Sequence, residues 1–160
     1  MFKNNYLKTT NMTSIFYFLS FLTAFSPVEH DIYFFDSDIK DKQYLNIKIN
    51  AKIKNGYYMY SQDTMNLFPT RIELFDSSLF KSIEPMKSSR KASKKFDKFL
   101  KSDFFFFKDS VSFSQNFEIS NSLDIDSVLI QGEFIFQACD DAKCIPFYSS
   151  FERNVKISEN

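Results

Sequence analysis

The chain has 160 residues, 44% hydrophobic and 25% charged, which fits one folded domain and argues against general disorder. Its 20 basic and 20 acidic residues cancel, so the whole chain lacks the excess positive charge of a nucleic-acid-binding protein. Two Gly exclude glycine-rich phosphate loops, one His with two Cys cannot complete a four-ligand zinc site, and a His-dependent triad could use only His30. The two cysteines are therefore the leading candidates for chemistry.

The N-terminus has the pattern of a secretory signal peptide. Lys3 and Lys8 precede an eleven-residue apolar run over 15–25, about half the length that a membrane helix needs. We expect a signal peptide over 1–26, with an uncleaved N-terminal anchor as the alternative, and one domain over 27–160. No later segment contains 18 consecutive apolar residues, so we expect no further membrane span. Export would place both cysteines where disulfides persist.

From Asp31 onward, apolar and polar residues alternate with a period of two, which indicates half-buried strands. The predicted strands cover 31–35, 45–53, 57–60, 70–75, 111–119, 128–136 and 151–157. Turns are predicted at 36–38, 55–56, 76–78 and 121–122, where Asn, Asp, Ser and Gly cluster. Gly132 interrupts one strand and predicts a bulge or a close approach of another backbone. Seven or so short strands without a linker predict an all-β antiparallel sandwich.

Residues 81–101 depart from this pattern. They carry eight Lys or Arg and two acids, a local charge of +6 that leaves −6 for the rest of the chain. Phe96, Phe99 and Leu100 have helical spacing, so we expect a short helix or an ordered loop at the end of the segment. The segment fits a solvated loop, and the alternative is an electrostatic contact with an acidic partner or a membrane surface.

Cys139 and Cys144 form a C-x4-C unit that can close a disulfide across a tight loop. A closed loop of six residues should stabilise the domain by only roughly 2 kcal/mol, less than a long loop would. A structural staple and a redox-active pair both fit this spacing. The flanking charges do not decide between them, because Lys143 favours a thiolate while Asp140 and Asp141 oppose it. A copper(I) carrier using both cysteines with Met or His is a third, weaker alternative.

Three blocks of the sequence resemble parts of one known protein family. The first block is Gly56-Tyr-Tyr-Met-Tyr-Ser-Gln62, which resembles a strand of that family. The second is Phe96-Asp-Lys-Phe99 with the aromatic run that follows it, which resembles the cap loop. The third, from Gly132 to Pro146 and including both cysteines, resembles the active-site hairpin. The blocks occur in the family's order over about 100 residues. The family they resemble is the N-terminal periplasmic domain of the thiol:disulfide interchange protein DsbD, in the short form found in Bacteroidetes-like bacteria.

The resemblance implies an immunoglobulin-like sandwich whose only redox group is the Cys139–Cys144 disulfide, with no bound cofactor and no metal. It implies that Cys144 forms the mixed disulfide and that Cys139 closes the intramolecular bridge. The remaining residues that it assigns to the cap or the lining of the site are Phe99 as the cap aromatic, with Asp97, Tyr58, Tyr60, Asp141 and Pro146. An apolar cap would exclude small thiols until a correct partner docks.

The resemblance also implies partners and a location. We expect a monomer in the periplasm that receives electrons from a thioredoxin-like donor and passes them to disulfide isomerases or to proteins of cytochrome c maturation. The active-site loop is one residue shorter than in the enteric family members, and Phe147 and Lys98 replace residues usual there. The rival hypothesis is a non-catalytic, secreted β-sandwich for binding or assembly, with a structural disulfide.

Overall fold

The computed structural model describes residues 26–39, 42–64, 68–97, 101–120 and 127–156. These residues form strands and turns, and none of them belongs to a helix that could cross a membrane. The strands are β1 (Val28–Ile39), β2 (Lys42–Ile53), β3 (Tyr58–Tyr60), β4 (Arg71–Leu74), β5 (Phe80–Ser82), β6 (Lys87–Ser88), β7 (Ser93–Asp97), β8 (Ser102–Phe107), β9 (Ser110–Ile119), β10 (Ser127–Cys139) and β11 (Cys144–Lys156).

Two antiparallel sheets make up the described structure. The five-stranded sheet has the order β1-β2-β9-β5, with β6 also paired to β9. The six-stranded sheet has the order β11-β10-β3-β8-β7, with β4 also paired to β10. This arrangement confirms the predicted all-β antiparallel sandwich.

The hydrophobic core contains residues from both sheets, because alternate residues of each strand point to opposite faces. Leu45, Ile47 and Ile49 on β2 are fully buried, and so are Phe113 on β9 and Phe134 on β10. The rings of Phe113 and Phe134 lie 6.0 Å apart across the two sheets. We call the faces that meet in this core the inner faces and the opposite faces the outer faces.

The strands at 45–53, 111–119 and 128–136 were predicted correctly, although β10 continues to Cys139. The turn predicted at 36–38 is wrong, since Asp36, Ser37 and Asp38 pair with β2 as part of β1. The turn at 55–56 is confirmed, with Gly56 at a φ of 84° that favours glycine. The turn predicted at 121–122 lies outside the described residues.

Two further turn and glycine predictions are confirmed. At 76–78, the Asp76 carboxylate accepts hydrogen bonds from the backbone N–H groups of Ser78 and Leu79 at 3.0 and 3.2 Å. At Gly132, an added Cβ would lie 2.4 Å from the carbonyl oxygen of Glu73. The glycine is therefore needed for the close approach of β4 to β10.

The basic segment 81–101 is not a single loop. Its described residues contribute to β5, β6 and β7, so they lie in both sheets. Phe96 lies in β7 and is 57% exposed, which corrects the predicted helix at this residue. Some of the charge is paired, as in the 2.7 Å ion pair between Lys94 and Asp103. Phe99 and Leu100 lie outside the described residues.

Candidate functional site

The hairpin of β10 and β11 brings the two cysteines together. Cys139 ends β10, Cys144 begins β11, and the register places them directly opposite each other. Their Cα atoms are 4.0 Å apart and a disulfide joins them. The neighbouring pair, Ala138 and Ile145, continues the pairing, so the disulfide lies at the end of the β10–β11 hairpin that is next to the turn.

Asp140 organises the four-residue turn between the cysteines. Its backbone N–H donates to the carbonyl oxygen of Lys143 at 2.9 Å, which closes the turn. Its side-chain Oδ1 accepts from the backbone N–H groups of Ala142 and Lys143, both at 2.8 Å. These two hydrogen bonds stabilise the ionised form and lower the pKa of the Asp140 carboxyl below its usual value.

The disulfide lies on the outer face of the six-stranded sheet. Phe136 and Ala138 pack in the core between the sheets, so Cys139, which follows Ala138, points the other way. A residue on an outer face usually meets solvent, yet Cys139 is 0% exposed. Tyr58, which lies directly opposite Cys139 in β3, shares its face.

Aromatic rings from β3 and β8 account for this burial. We call Tyr58, Tyr60, Phe104 and Phe106 the outer aromatic cluster. Two rings of this cluster, Tyr60 and Phe104, are buried and pack with Cys139. The other two, Tyr58 and Phe106, are partly buried and pack against them. The ring of Phe104 lies 5.5 Å from that of Tyr60 and 6.1 Å from that of Tyr58. The ring of Phe106 lies 5.3 Å from that of Tyr58 and 5.6 Å from that of Phe104.

The two cysteines differ in accessibility. Cys139 is fully buried, whereas Cys144 is exposed. The hydroxyl oxygen of Tyr60 lies 3.8 Å from Cys144 Sγ, within hydrogen-bonding distance for sulfur. A partner arriving from solvent therefore meets Cys144, with a tyrosine hydroxyl at its sulfur and the outer aromatic cluster beside it.

The remaining predicted site residues are on β11, in the turn, at the end of β7 and outside the described part of the chain. Pro146 is exposed on β11, two residues beyond Cys144 on the same face. Asp141 is exposed in the turn, but its neighbour Asp140 makes the turn's side-chain hydrogen bonds. Asp97 ends β7 opposite Ser102. Phe99, the predicted cap aromatic, lies outside the described residues.

Sequence reasoning did not identify Phe104, Phe106 or Asp140 as site residues. The four phenylalanines of 104–107 show no apolar–polar alternation, so the sequence does not separate those that face the disulfide from those that face the core. The available signal for Asp140 was an Asp at the start of a tight turn, where its side chain commonly accepts from backbone N–H groups a few residues ahead. Among the described residues, no three His, Cys, Asp or Glu side chains come together as a metal site would require.

A comparison with known proteins identifies the family to which the chain belongs. The sequence model described as "Thiol:disulfide interchange protein DsbD, N-terminal" matches residues 25–156. The chain belongs to this family. Among curated proteins there is no match. One solved structure that resembles it is the reduced DsbD N-terminal domain of Neisseria meningitidis, 18% identical over 72% of this chain and 78% of that chain, with a TM-score of 0.44.

As a member of the DsbD N-terminal family, the chain is a thiol-disulfide exchange domain with the predicted immunoglobulin-like sandwich. The family acts in the periplasm, so the protein is exported, and it interacts with thioredoxin-like proteins. The family match covers the predicted domain from residue 27 to residue 156.

Proposed function

We propose that this DsbD N-terminal domain relays electrons between thioredoxin-like partners through the Cys139–Cys144 pair. The observation that carries the proposal is the unequal burial of the two cysteines, one fully buried and one exposed. Thiol-disulfide exchange proceeds by attack on one sulfur through a mixed disulfide, so access to a single sulfur determines which cysteine bonds to the partner.

Electrons pass in two balanced steps. In the reduced domain, the Cys144 thiolate attacks the client disulfide, a Cys144–client bond forms, and the other client sulfur leaves as a thiolate. The Cys139 thiolate then attacks Cys144 Sγ, which restores the intramolecular disulfide and releases the client as a dithiol. Two electrons move to the client, and a donor dithiol reduces the domain again by the reverse sequence.

The residues around the disulfide take supporting roles in this relay. The Tyr60 hydroxyl, 3.8 Å from Cys144 Sγ, can donate to the thiolate of the reduced domain. Tyr58, Tyr60 and Phe104 cover Cys139 and keep small thiols from its sulfur. As the family resemblance implies, we propose Phe99 as the cap aromatic that covers the disulfide, with Asp97 at the start of its loop. A cap that opens when the correct partner docks gives specificity by gating.

The proposal includes the setting of the reaction. The disulfide is the redox group, and no cofactor is used. Residues 1–26 direct export to the periplasm, where a thioredoxin-like donor supplies the electrons. The clients are periplasmic thiol-disulfide proteins, among them those of cytochrome c maturation, and the domain works as a monomer.

Trapping of mixed disulfides tests the relay. In a Cys139→Ala variant, the resolving thiolate is missing, so adducts between Cys144 and thioredoxin-like proteins should accumulate in cells. They should appear on non-reducing gels and disappear with reductant. The matched control is Cys144→Ala, in which the remaining cysteine is buried and should yield few adducts. Absence of adducts in the first variant, or equal yields in both, would contradict the proposed relay.

A further inference from the structure

The turn between the cysteines is held by hydrogen bonds of Asp140 and not by packing. Asp141, Ala142 and Lys143 are exposed, so the turn gains little from burial. Its shape depends on the closing Asp140–Lys143 backbone bond and on the two bonds that Asp140 Oδ1 accepts. None of these bonds involves a sulfur atom, so they can persist when the disulfide opens.

The turn and the disulfide favour the same geometry, which couples them energetically. A closed disulfide holds the ends of the turn together and so favours the Asp140 hydrogen bonds. By thermodynamic reciprocity, the Asp140 hydrogen bonds favour the closed disulfide to the same degree. In the reduced domain they keep the two thiols opposite each other, which lowers the entropy lost when the bridge forms.

We propose that Asp140 is a positioning residue that makes the Cys139–Cys144 disulfide harder to reduce by holding the turn in its closed shape. The inference rests on the proposed redox role of the pair and adds a determinant of its potential. The reaction concerned is reduction of the disulfide by dithiothreitol, in which two electrons and two protons pass to the cysteines and dithiothreitol becomes a cyclic disulfide.

Four proteins test the proposal when each is equilibrated with defined ratios of reduced and oxidised dithiothreitol. Asp140→Ala removes both side-chain hydrogen bonds and the charge. Asp140→Asn removes the charge but keeps an oxygen that can accept the same bonds. Asp76→Ala removes an equivalent pair of hydrogen bonds from the loop between β4 and β5. There the Asp76 carboxylate accepts from the backbone N–H groups of Ser78 and Leu79. The wild type provides the reference.

We expect Asp140→Ala to raise the equilibrium constant for reduction about fivefold, or roughly 20 mV for a two-electron couple. Asp140→Asn should stay within about twofold of the wild type. Asp76→Ala should lower the unfolding midpoint without changing the constant for reduction, since its loop adjoins Gln131, eight residues along the extended strand β10 from Cys139.

Three results would overturn the role of Asp140. In the first, the equilibrium constant for reduction of Asp140→Ala lies within twofold of the wild-type constant. In the second, Asp140→Asn has the same constant as Asp140→Ala. In the third, Asp76→Ala changes the constant as much as Asp140→Ala does. The second would assign the effect to charge, and the third to general stability. The wild-type equilibrium constant for reduction tests the proposed function separately. The ratio between a variant and the wild type can be measured whatever the wild-type constant is, so failure of one proposal can be distinguished from failure of the other.

Discussion

The inner and outer faces of the six-stranded sheet both carry aromatic residues, but they use them differently. On β8, Phe107 is 1% exposed and belongs to the core between the sheets, while Phe104 is 5% exposed and packs with Cys139. The two rings come from one strand and are almost equally buried. What separates a structural phenylalanine from one at the redox site is therefore its face, and not its residue type or burial.

The largest effect that would test this comparison is the loss of a ring from the inner face. Phe134 is 0% exposed and contacts Phe113, Phe136 and His30. Phe134→Ala should lower the free energy of unfolding by about 3–5 kcal/mol, because it leaves a cavity in the core. In the folded variant, the rate at which a small thiol such as glutathione reduces the disulfide should stay close to that of the wild type.

The matching change on the outer face is Phe104→Ala. We expect a smaller loss of stability, about 2 kcal/mol, since Phe104 packs in a small cluster and not in the main core. The rate of reduction by glutathione should rise about twofold, because the thiol can then attack Cys139 as well as the exposed Cys144. Urea unfolding and stopped-flow kinetics measure the two quantities. Equal kinetic effects of Phe104→Ala and Phe134→Ala would break the distinction between the faces.

A smaller effect concerns the pH dependence of the inner face. His30 Nε2 lies 2.8 Å from Ser149 Oγ, and its ring packs edge-on against Phe134. Burial lowers the pKa of His30 below its ordinary value of 6.5. The unfolded chain therefore binds a proton more readily than the folded one, so the folded state loses stability as the pH falls below about 6.5.

A His30→Gln variant removes this titration while keeping a polar group near Ser149. Between pH 7 and pH 5, its free energy of unfolding should fall less steeply than that of the wild type. Carboxyl groups titrate in both proteins and cancel in the difference. Parallel curves for the two proteins would show that His30 is solvated as readily in the folded state as in the unfolded chain.

The long strands could be predicted because a half-buried strand must alternate. Leu45, Ile47 and Ile49 on β2 are apolar and the residues between them are polar, so both the strand and its buried face follow from the sequence. The strands β5 to β8 could not be predicted in this way. β7 is mostly polar and β8 contains four consecutive phenylalanines, so neither shows a period of two.

The part of the site that depends on a rare residue type, cysteine, could be predicted from the sequence. With only two cysteines in the chain, one intramolecular pairing is possible, and β10 and β11 place the two residues directly opposite each other. Phe104 could not be singled out, because its role depends on which strand lies beside β8. Asp140 was overlooked in favour of Asp141, although only Asp140 hydrogen-bonds to the N–H groups of Ala142 and Lys143.

The most direct measurement of the central claim is the reduction potential of the wild-type Cys139–Cys144 pair, obtained by equilibrium with a thiol couple of known potential. A redox relay must be oxidised and reduced by thioredoxin-like partners, so its potential should lie above about −300 mV. A potential well below that value would mark a structural disulfide. It would contradict the relay and favour a non-catalytic β-sandwich.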